Sequence, residues 1–381
     1  MPVATAARQG DAQALTRALQ ASRRDTLATF AVFEQALPGL RVPQRSDLNP
    51  PLWELGHIGW FQEYWLGRNP LRQQGHAADP NVPRHPPRRP DADALYDSSN
   101  VPHETRWALP LPDAAGTRAE LHQQLADTLA LLSEAGEDDD ALYFFRLALL
   151  HEDMHHEAAL YMAQALGIAI DDARWQACAL PPPPPPVELP RGRWTLGSAA
   201  GEGFAFDNEL CAHTVELAGT VIDAQAVRWA EYLPFVECCA QAAPRHLRRE
   251  GGVWQHWRHG RWQTLKLAEA ACHLTFHEAE AWCRWAGRRL PGEAEWERAA
   301  LSRPADFRWG DVWEWTASPF QPFPGFQPHP YRDYSAPWFD GRPVLRGASF
   351  MTQLRMRHPR YRNFFPPQRN DVPAGFRSCA I

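Results

Sequence analysis

The sequence predicts two domains of different class, an all-α four-helix bundle followed by a loop-rich α+β domain. Six consecutive prolines, Pro181 to Pro186, separate the halves, and such a run favours an extended polyproline II spacer. Hydrophobic residues recur at helical spacing before the spacer, whereas short extended segments and loops rich in Gly, Pro and Trp follow it. We therefore expect a bundle over residues 1–179, a linker over 180–190 and an α+β domain over 191–381.

The composition is that of a soluble globular protein. Of the 381 residues, 44% are hydrophobic and 22% are charged, and the net charge is −6. This charge argues against nucleic acid as a partner. A cationic and apolar leader is absent, and no apolar run approaches about 18 residues, so we expect no membrane partner and a cytoplasmic location. Seven cysteines without a CxxC pair argue against a disulfide framework. We expect a monomer.

Four helices are predicted in the first half. Apolar residues at helical spacing predict the first helix over 11–36. The second begins at Asn49-Pro50-Pro51, because proline is tolerated in the first turn of a helix. Two more are predicted over 117–134 and 139–166. The Pro-, Asp- and Ser-rich segment 70–116 is then the one long crossover of the bundle.

The second half mixes short strands with two helices. The segments WTLGS, HTVEL, TVIDA and PVLRGASF predict strands, and helices are predicted over 226–239 and 276–286. The rest is irregular, which makes this domain α+β.

Three histidines form a candidate metal site. His151 and His155 are four residues apart, so their imidazoles lie on one apolar face of a helix. His57 lies beside Trp53 and Trp60 on the second helix, where a buried imidazole needs a polar partner. A metal ion shared by the three histidines would supply that partner. Neutral imidazoles suit iron(II) or zinc, and the ligand type does not choose between these metals.

The same helix contains the pattern His151-Glu152-x-x-His155, which is typical of zinc hydrolases. In that alternative Glu152 is the general base that acts on a zinc-bound water. The downstream extension of that motif is missing, and a hydrolase leaves the second domain unexplained. A non-enzymatic module with structural histidines is a further alternative. Glu157 is predicted to bond an imidazole N–H from outside the metal site.

The second half carries the blocks GRRLPGEAEWERAA, WGDVWEWTAS, VLRGASF and AGFR in this order. They resemble the formylglycine-generating enzymes, whose loop-rich α+β fold is related to C-type lectins. The copper-binding cysteine pair of those enzymes has no counterpart, since only Cys379 lies near the C-terminus, and formylglycine formation is not expected. The block GFAFDNEL and the three histidines resemble the ergothioneine sulfoxide synthases, which fuse a DinB-like helical bundle to this domain.

The resemblance implies a mononuclear non-haem iron(II) held by His57, His151 and His155, with O2 as co-substrate. It further implies coupling of a thiol to the imidazole C2 of hercynine, the betaine of histidine. An aromatic pocket suits the trimethylammonium group of hercynine. Relatives place two tyrosines before Pro-Gly-Phe, where this chain has Phe320 and Phe323. The remaining candidates for a proton donor are Tyr96, Tyr331, Tyr334 and Tyr361.

The identity of the sulfur or selenium donor is predicted from one position at which this sequence departs from the motif of its relatives. Relatives that use γ-glutamylcysteine read Asn-Trp-Asp-x-x-x-Arg, whereas this chain reads Asn363-Phe364-Phe365-Pro-Pro-Gln-Arg369. Phe365 cannot pair with the ammonium of an amino-acid thiol, as aspartate would. A branch that resembles this chain in its LWELGH, YDSS and RNFF blocks, the selenoneine synthases, joins hercynine to a selenosugar, 1-selenoglucose. The resemblance thus implies C–Se bond formation, and C–S bond formation with a cysteine-type thiol is the alternative. The candidate substrate-binding residues are Met154, Phe323, Asn363, Phe364, Phe365 and Arg369.

Overall fold

The computed structural model describes residues 2–238 and 243–381. Its first half is helical and contains α1 (Val3–Gln9), α2 (Ala12–Ala36), α3 (Pro51–Gln62), α4 (Ala92–Tyr96), α5 (Ala114–Ser133) and α6 (Asp139–Leu166). Four of these, α2, α3, α5 and α6, pack against one another and confirm the predicted bundle. No helix in the described ranges is both long enough and apolar enough to cross a membrane.

The boundaries of the bundle helices follow their capping residues. Asp11 and Asp138 precede α2 and α6, and each side chain accepts a hydrogen bond from a backbone N–H of the first turn. The helix α3 begins at Pro51, whose missing N–H would have no partner in a first turn. Gly167 ends α6 with a φ of 73°, a conformation that glycine adopts without strain.

The crossover between α3 and α5 packs back onto α3. Trp53 donates from its indole Nε1 to the carbonyl of Leu95 at 2.7 Å. Trp60 donates to Asp93 at 2.7 Å, and Arg68 pairs with the same carboxylate. These bonds hold α4 against the helix that carries His57.

The second half is assembled from short strands around three helices, α7 (Trp229–Cys238), α8 (Phe276–Trp285) and α9 (Glu293–Ser302). The strands are β1 (Val187–Leu189), β2 (Gly192–Leu196), β3 (His213–Leu217), β4 (Thr220–Ile222), β5 (Leu247–Glu250), β6 (Val253–Arg258), β7 (Arg261–Thr264), β8 (Arg288–Arg289), β9 (Trp313–Pro319), β10 (Pro343–Gly347), β11 (Asn363–Phe364), β12 (Ala374–Gly375) and β13 (Cys379–Ala380). They form sheets in the orders β1-β4-β13-β8, β11-β10-β9-β12, β2-β3 and β5-β6-β7. This irregular mixture confirms the predicted α+β class.

The predicted linker over 180–190 needs one correction. Its last part, Val187–Leu189, is the strand β1, which pairs antiparallel with β4 at the edge of a sheet. Proline withholds a backbone N–H only at its own position, so the residues after the proline run are free to join a ladder. Residues 181–186 themselves carry neither helix nor strand.

Candidate metal centre

Three imidazoles converge in the interior of the bundle. His57 comes from α3, and His151 and His155 lie one turn apart on α6. Each histidine offers one ring nitrogen, and these atoms lie within 4.8 Å of one another. The Nε2 atoms of His151 and His155 are 3.1 Å apart. Over 2–238 and 243–381, no other cluster of His, Cys, Asp and Glu has this geometry.

The outer nitrogens of two imidazoles are oriented by oxygen acceptors. Nδ1 of His57 donates to the carbonyl of Tyr96 at 2.8 Å, because a carbonyl can only accept. Nδ1 of His155 donates to Oε1 of Glu54 at 2.5 Å. The remaining nitrogen of each ring, Nε2, therefore carries its lone pair inward. Nδ1 of His151 is buried and has no hydrogen-bond partner in the described part of the chain.

Burial keeps the imidazoles of His57 and His151 neutral. It lowers the pKa of His57 to about 3 and that of His151 well below its ordinary value, and in both cases the neighbouring His155 adds to the effect. Burial opposes ionisation of Glu54, but His155 outweighs it and lowers the pKa of this carboxyl to about 2. Two neutral imidazoles, together with a third whose Nδ1 is held by a carboxylate, fit a divalent metal ion.

The structure corrects the role predicted for Glu157, which does not bond an imidazole. Its Oε1 accepts hydrogen bonds from Trp313 Nε1 at 2.8 Å, Thr352 Oγ1 at 2.8 Å and Ser349 Oγ at 3.1 Å, all in the second domain. Glu54 fills the predicted role instead. It lies three residues before His57 on α3, so it shares the inward face of that helix. That spacing is the signal which could have found it.

Glu152 is not placed as the base of a zinc hydrolase. Its carboxylate forms a bidentate pair with Arg23 of α2, at 2.7 and 3.1 Å, and both side chains are buried. This pair occupies both carboxylate oxygens on the α2 side of the helix. The hydrolase alternative therefore lacks its general base.

A cavity of about 340 Å³ lies over the imidazoles between the two domains. The bundle contributes His151, His155 and Glu54, and the second domain contributes the opposite wall. The aromatic side chains that line it are Tyr161, Trp313, Tyr331, Tyr334, Tyr361, Phe364 and Phe365. It continues into an outer chamber of about 730 Å³, with which it shares Tyr331 and Phe364.

Most of the predicted substrate residues line this cavity. They are Met154, Asn363, Phe364, Phe365 and Arg369. Phe323 instead packs under the guanidinium of Arg362 at 3.9 Å, outside the cavity. Tyr96 also lies outside it, with its ring against Gly56 of α3, and it reaches the site only through its carbonyl. The local sequence could not show that Phe323 and Tyr96 lie outside the cavity, because the packing of the two domains decides which residues line it.

Three phenols lie above the imidazoles. The ring of Tyr331 is 6.0 Å from that of His151. The hydroxyl of Tyr334 donates to that of Tyr361 at 2.8 Å, and the hydroxyl of Tyr361 points to the sulfur of Met154 at 3.5 Å. Burial raises the pKa of all three phenols. They are thus protonated at neutral pH.

The two guanidiniums that line the outer chamber are engaged by the protein. Arg369 forms a bidentate pair with Asp371 at 2.8 and 3.0 Å, and its plane lies 4.4 Å over the ring of Phe365. All three nitrogens of Arg106 donate to oxygens of the crossover and of Asn49. Arg106 thus keeps no free pair of donors, whereas Nη1 of Arg369 and the second N–H of its Nη2 have no hydrogen-bond partner in the described part of the chain.

Both halves of the chain are similar to known protein families. Residues 18–159 match the family model of the DinB superfamily, and residues 176–311 match that of the sulfatase-modifying factor enzyme 1-like domain. The hercynine oxygenase of Mycolicibacterium smegmatis is 31% identical over 404 residues, which covers 87% of this chain and 90% of that protein. The hercynine oxygenase of Mycobacterium tuberculosis is 30% identical, with the same coverage. A formylglycine-generating enzyme of Streptomyces coelicolor is 33% identical over 157 residues, which covers 33% of this chain and 50% of that enzyme.

Proposed function

Because the chain belongs to the hercynine oxygenase family, we propose that it is an iron(II)- and O2-dependent enzyme that modifies hercynine at imidazole C2. The observation that supports this most is the convergence of His57, His151 and His155, of which the last two line a cavity whose opposite wall is the second domain. A substrate in this cavity would lie against the metal site and be shielded from water.

The three imidazoles would hold the metal ion through their inward nitrogens. When bound, iron(II) supplies the one-electron chemistry by which O2 oxidises a substrate. Glu54 and the Tyr96 carbonyl fix the tautomers of His155 and His57 and so keep the inward lone pairs available.

The aromatic wall suits the quaternary ammonium of hercynine. A trimethylammonium group offers no N–H and is attracted to the faces of aromatic rings. Tyr334, Tyr361, Trp313 and Phe364 supply such rings on the wall formed by the second domain. Hercynine would thereby present its imidazole toward the histidines of the bundle.

Tyr331 is the phenol that we assign as proton donor. Its ring is the one in contact with His151, whereas Tyr334 and Tyr361 hydrogen bond to each other. Its raised pKa keeps the proton on the hydroxyl until a stronger base forms beside it. Tyr331→Phe should lower kcat at least 10²-fold with little change in iron content.

For the donor, the aromatic side chain of Phe365 in the cavity wall supports a neutral, hydroxyl-bearing molecule such as 1-selenoglucose. Arg369 pairs with Asp371 through Nε and Nη2, and its remaining Nη1 and Nη2 donors could bind hydroxyl or carboxylate oxygens alike, so this residue does not choose between the donors. Phe365 offers an apolar face where an ammonium would need a carboxylate. The resulting product would contain a C–Se bond. A cysteine-type thiol, giving a C–S bond, is the competing donor.

A donor comparison tests both parts of the proposal. The iron-reconstituted enzyme is given hercynine and O2 with 1-selenoglucose, cysteine or γ-glutamylcysteine, and products are identified by mass spectrometry. We expect the highest kcat/KM with 1-selenoglucose. A preference for γ-glutamylcysteine would refute the donor assignment alone, whereas the absence of hercynine consumption with every donor would refute the enzymatic proposal.

A further inference from the structure

One arginine of the crossover, Arg106, reaches two of the three imidazoles by separate routes. We propose that Arg106 is a positioning residue that holds His57 and His155 in the orientation needed to share a metal ion. The proposal rests on the metal-binding role given above to the three histidines. Arg106 itself touches neither imidazole, so it acts through its neighbours.

The first route runs through hydrogen bonds to His155. Nη1 of Arg106 donates to Oδ1 of Asn49 at 2.7 Å, and Nδ2 of Asn49 donates to Oε2 of Glu54 at 2.8 Å. Oε1 of Glu54 then accepts from Nδ1 of His155 at 2.5 Å. Arginine can only donate and a carboxylate can only accept, so the amide of Asn49 has one permitted orientation. The chain of bonds therefore fixes the Glu54 carboxylate and, through it, the imidazole.

The second route runs through stacked rings to His57. The guanidinium of Arg106 lies 3.9 Å over the ring of Trp53. The ring of His57 also stacks on that of Trp53, with 4.8 Å between the ring centroids and 11° between the planes. Nε1 of Trp53 donates to the carbonyl of Leu95 at 2.7 Å, which stops the indole from turning. Trp53 and the Tyr96 carbonyl together set the plane of the His57 ring.

Arg106 is itself immobilised. Its Nε and Nη2 donate to the carbonyl of Val101 at 3.3 and 3.1 Å, and Nη2 also lies 3.3 Å from the carbonyl of Ser98. The residue is 9% exposed. Lysine could not replace it, because a single ammonium cannot lie flat on the indole and donate in three directions.

The third imidazole is held differently. The ring of His151 stacks on Phe61 at 3.4 Å, and it meets the network only where its Nε2 lies 3.1 Å from Nε2 of His155. Loss of Arg106 should therefore leave all three ligands in the protein while two of them lose their orientation. The expected result is weaker metal binding and a changed ligand field, with the fold retained.

Cobalt(II) titration of the full chain measures this without reference to turnover, because the visible absorption of bound cobalt reports on ligand geometry. We expect Arg106→Gln to weaken cobalt binding about 10- to 100-fold and to shift the absorption bands. Arg106→Lys should restore little of the loss. Asn49→Ala cuts only the first route, so its effect should be smaller, and adding it to Arg106→Gln should cost little more.

Arg146→Gln is the matched control. Arg146 is a buried arginine of α6 that pairs with Asp139 and the Gly10 carbonyl and shares no hydrogen bond with the Arg106 network. It should leave cobalt affinity and absorption unchanged at a comparable loss of thermal stability. If Arg106→Gln and Asn49→Ala bind cobalt as the wild type does, with the same spectrum, the positioning role is wrong. If the wild type and His151→Ala bind cobalt equally, the histidine site itself is wrong.

Discussion

Adjacent residues of α6 contact different parts of the structure. His155 faces the cavity, while His156 packs on the other side between Thr29 at 2.9 Å and Gln353 at 3.2 Å. A helix turns about 100° per residue, so consecutive polar side chains are separated by nearly a third of its circumference. A dense polar run such as HEDMHHE can thus supply ligands to the cavity and bonds to the second domain at once.

The side chain at position 365 decides the donor in this account. Phe365→Asp should raise the preference for an amino-acid thiol over 1-selenoglucose by about 10- to 100-fold in kcat/KM, because a charged hydrogen bond to the ammonium is worth about 1.5–3 kcal/mol. In the wild type the guanidinium of Arg369 lies 4.4 Å from the ring of Phe365. The carboxylate introduced at position 365 would therefore also pair with Arg369, which removes part of the gain.

Steady-state rates with the two donors measure this preference. Phe365→Leu is the control that removes the ring without adding charge. An unchanged ratio of kcat/KM in the aspartate variant would contradict a role for this position in donor choice.

At the scale of elements, α6 joins the two domains through buried polar bonds. Glu157 accepts from three side chains of the second domain, and Arg355 of that domain pairs with Asp153 at 2.8 Å. Glu157→Ala leaves several buried donors without an acceptor, so it should lower the free energy of unfolding by roughly 3 kcal/mol or more.

Urea denaturation measures the effect of Glu157→Ala against Glu34→Ala. Glu34 pairs with Arg118 on the surface, where side-chain exposures are 25% and 36%, and its loss should cost below about 1 kcal/mol. Equal losses in the two variants would contradict the interdomain role of Glu157.

The predictable elements were those with strong local periodicity. The helices α2, α3, α5 and α6 were predicted within a few residues, because their apolar stripes are long and their caps are local. The helix α9 was not predicted, although α7 and α8 have the same length of 10 residues and were predicted. The strands β5 to β7 were missed because their Trp and Arg side chains do not alternate cleanly. The strand β9 was missed although Trp313 and Trp315 alternate with Glu314 and Thr316.

The site residues that were predicted are those with a local sequence signal, and those that depend on contacts between elements were not. The histidine pair on α6 was predicted from its spacing, and His57 from an apolar face that needed a polar partner. The structure adds Glu54 as the partner of His155 and the Arg106 network, which join α3, α6 and the crossover. Contacts between separate elements leave no periodic pattern in the sequence.

The whole molecule carries buried neutral histidines away from the metal site, and these predict acid sensitivity. Burial, reinforced by Arg258, lowers the pKa of His256 to about 3, and burial lowers that of His329 to about 4. Both groups titrate near 6.5 when unfolded, so below that pH the unfolded chain binds more protons and stability falls as pH falls. Each group costs about 1.4 kcal/mol per pH unit between its folded and unfolded pKa.

Thermal unfolding between pH 7.5 and 5.5 measures this loss of stability on acidification. We expect Tm to fall on acidification, and His256→Gln to show a shallower fall than the wild type. The same pH dependence in both proteins would contradict the assignment to His256.

The central claim is that His57, His151 and His155 together hold the iron on which hercynine turnover depends. Anaerobic reconstitution with iron(II), followed by metal analysis and O2 uptake with hercynine and 1-selenoglucose, tests it on the wild type, on His151→Ala and on the control His156→Gln. We predict one iron per chain and O2 uptake in the wild type and control, and neither in His151→Ala. Full iron occupancy in His151→Ala would contradict the claim.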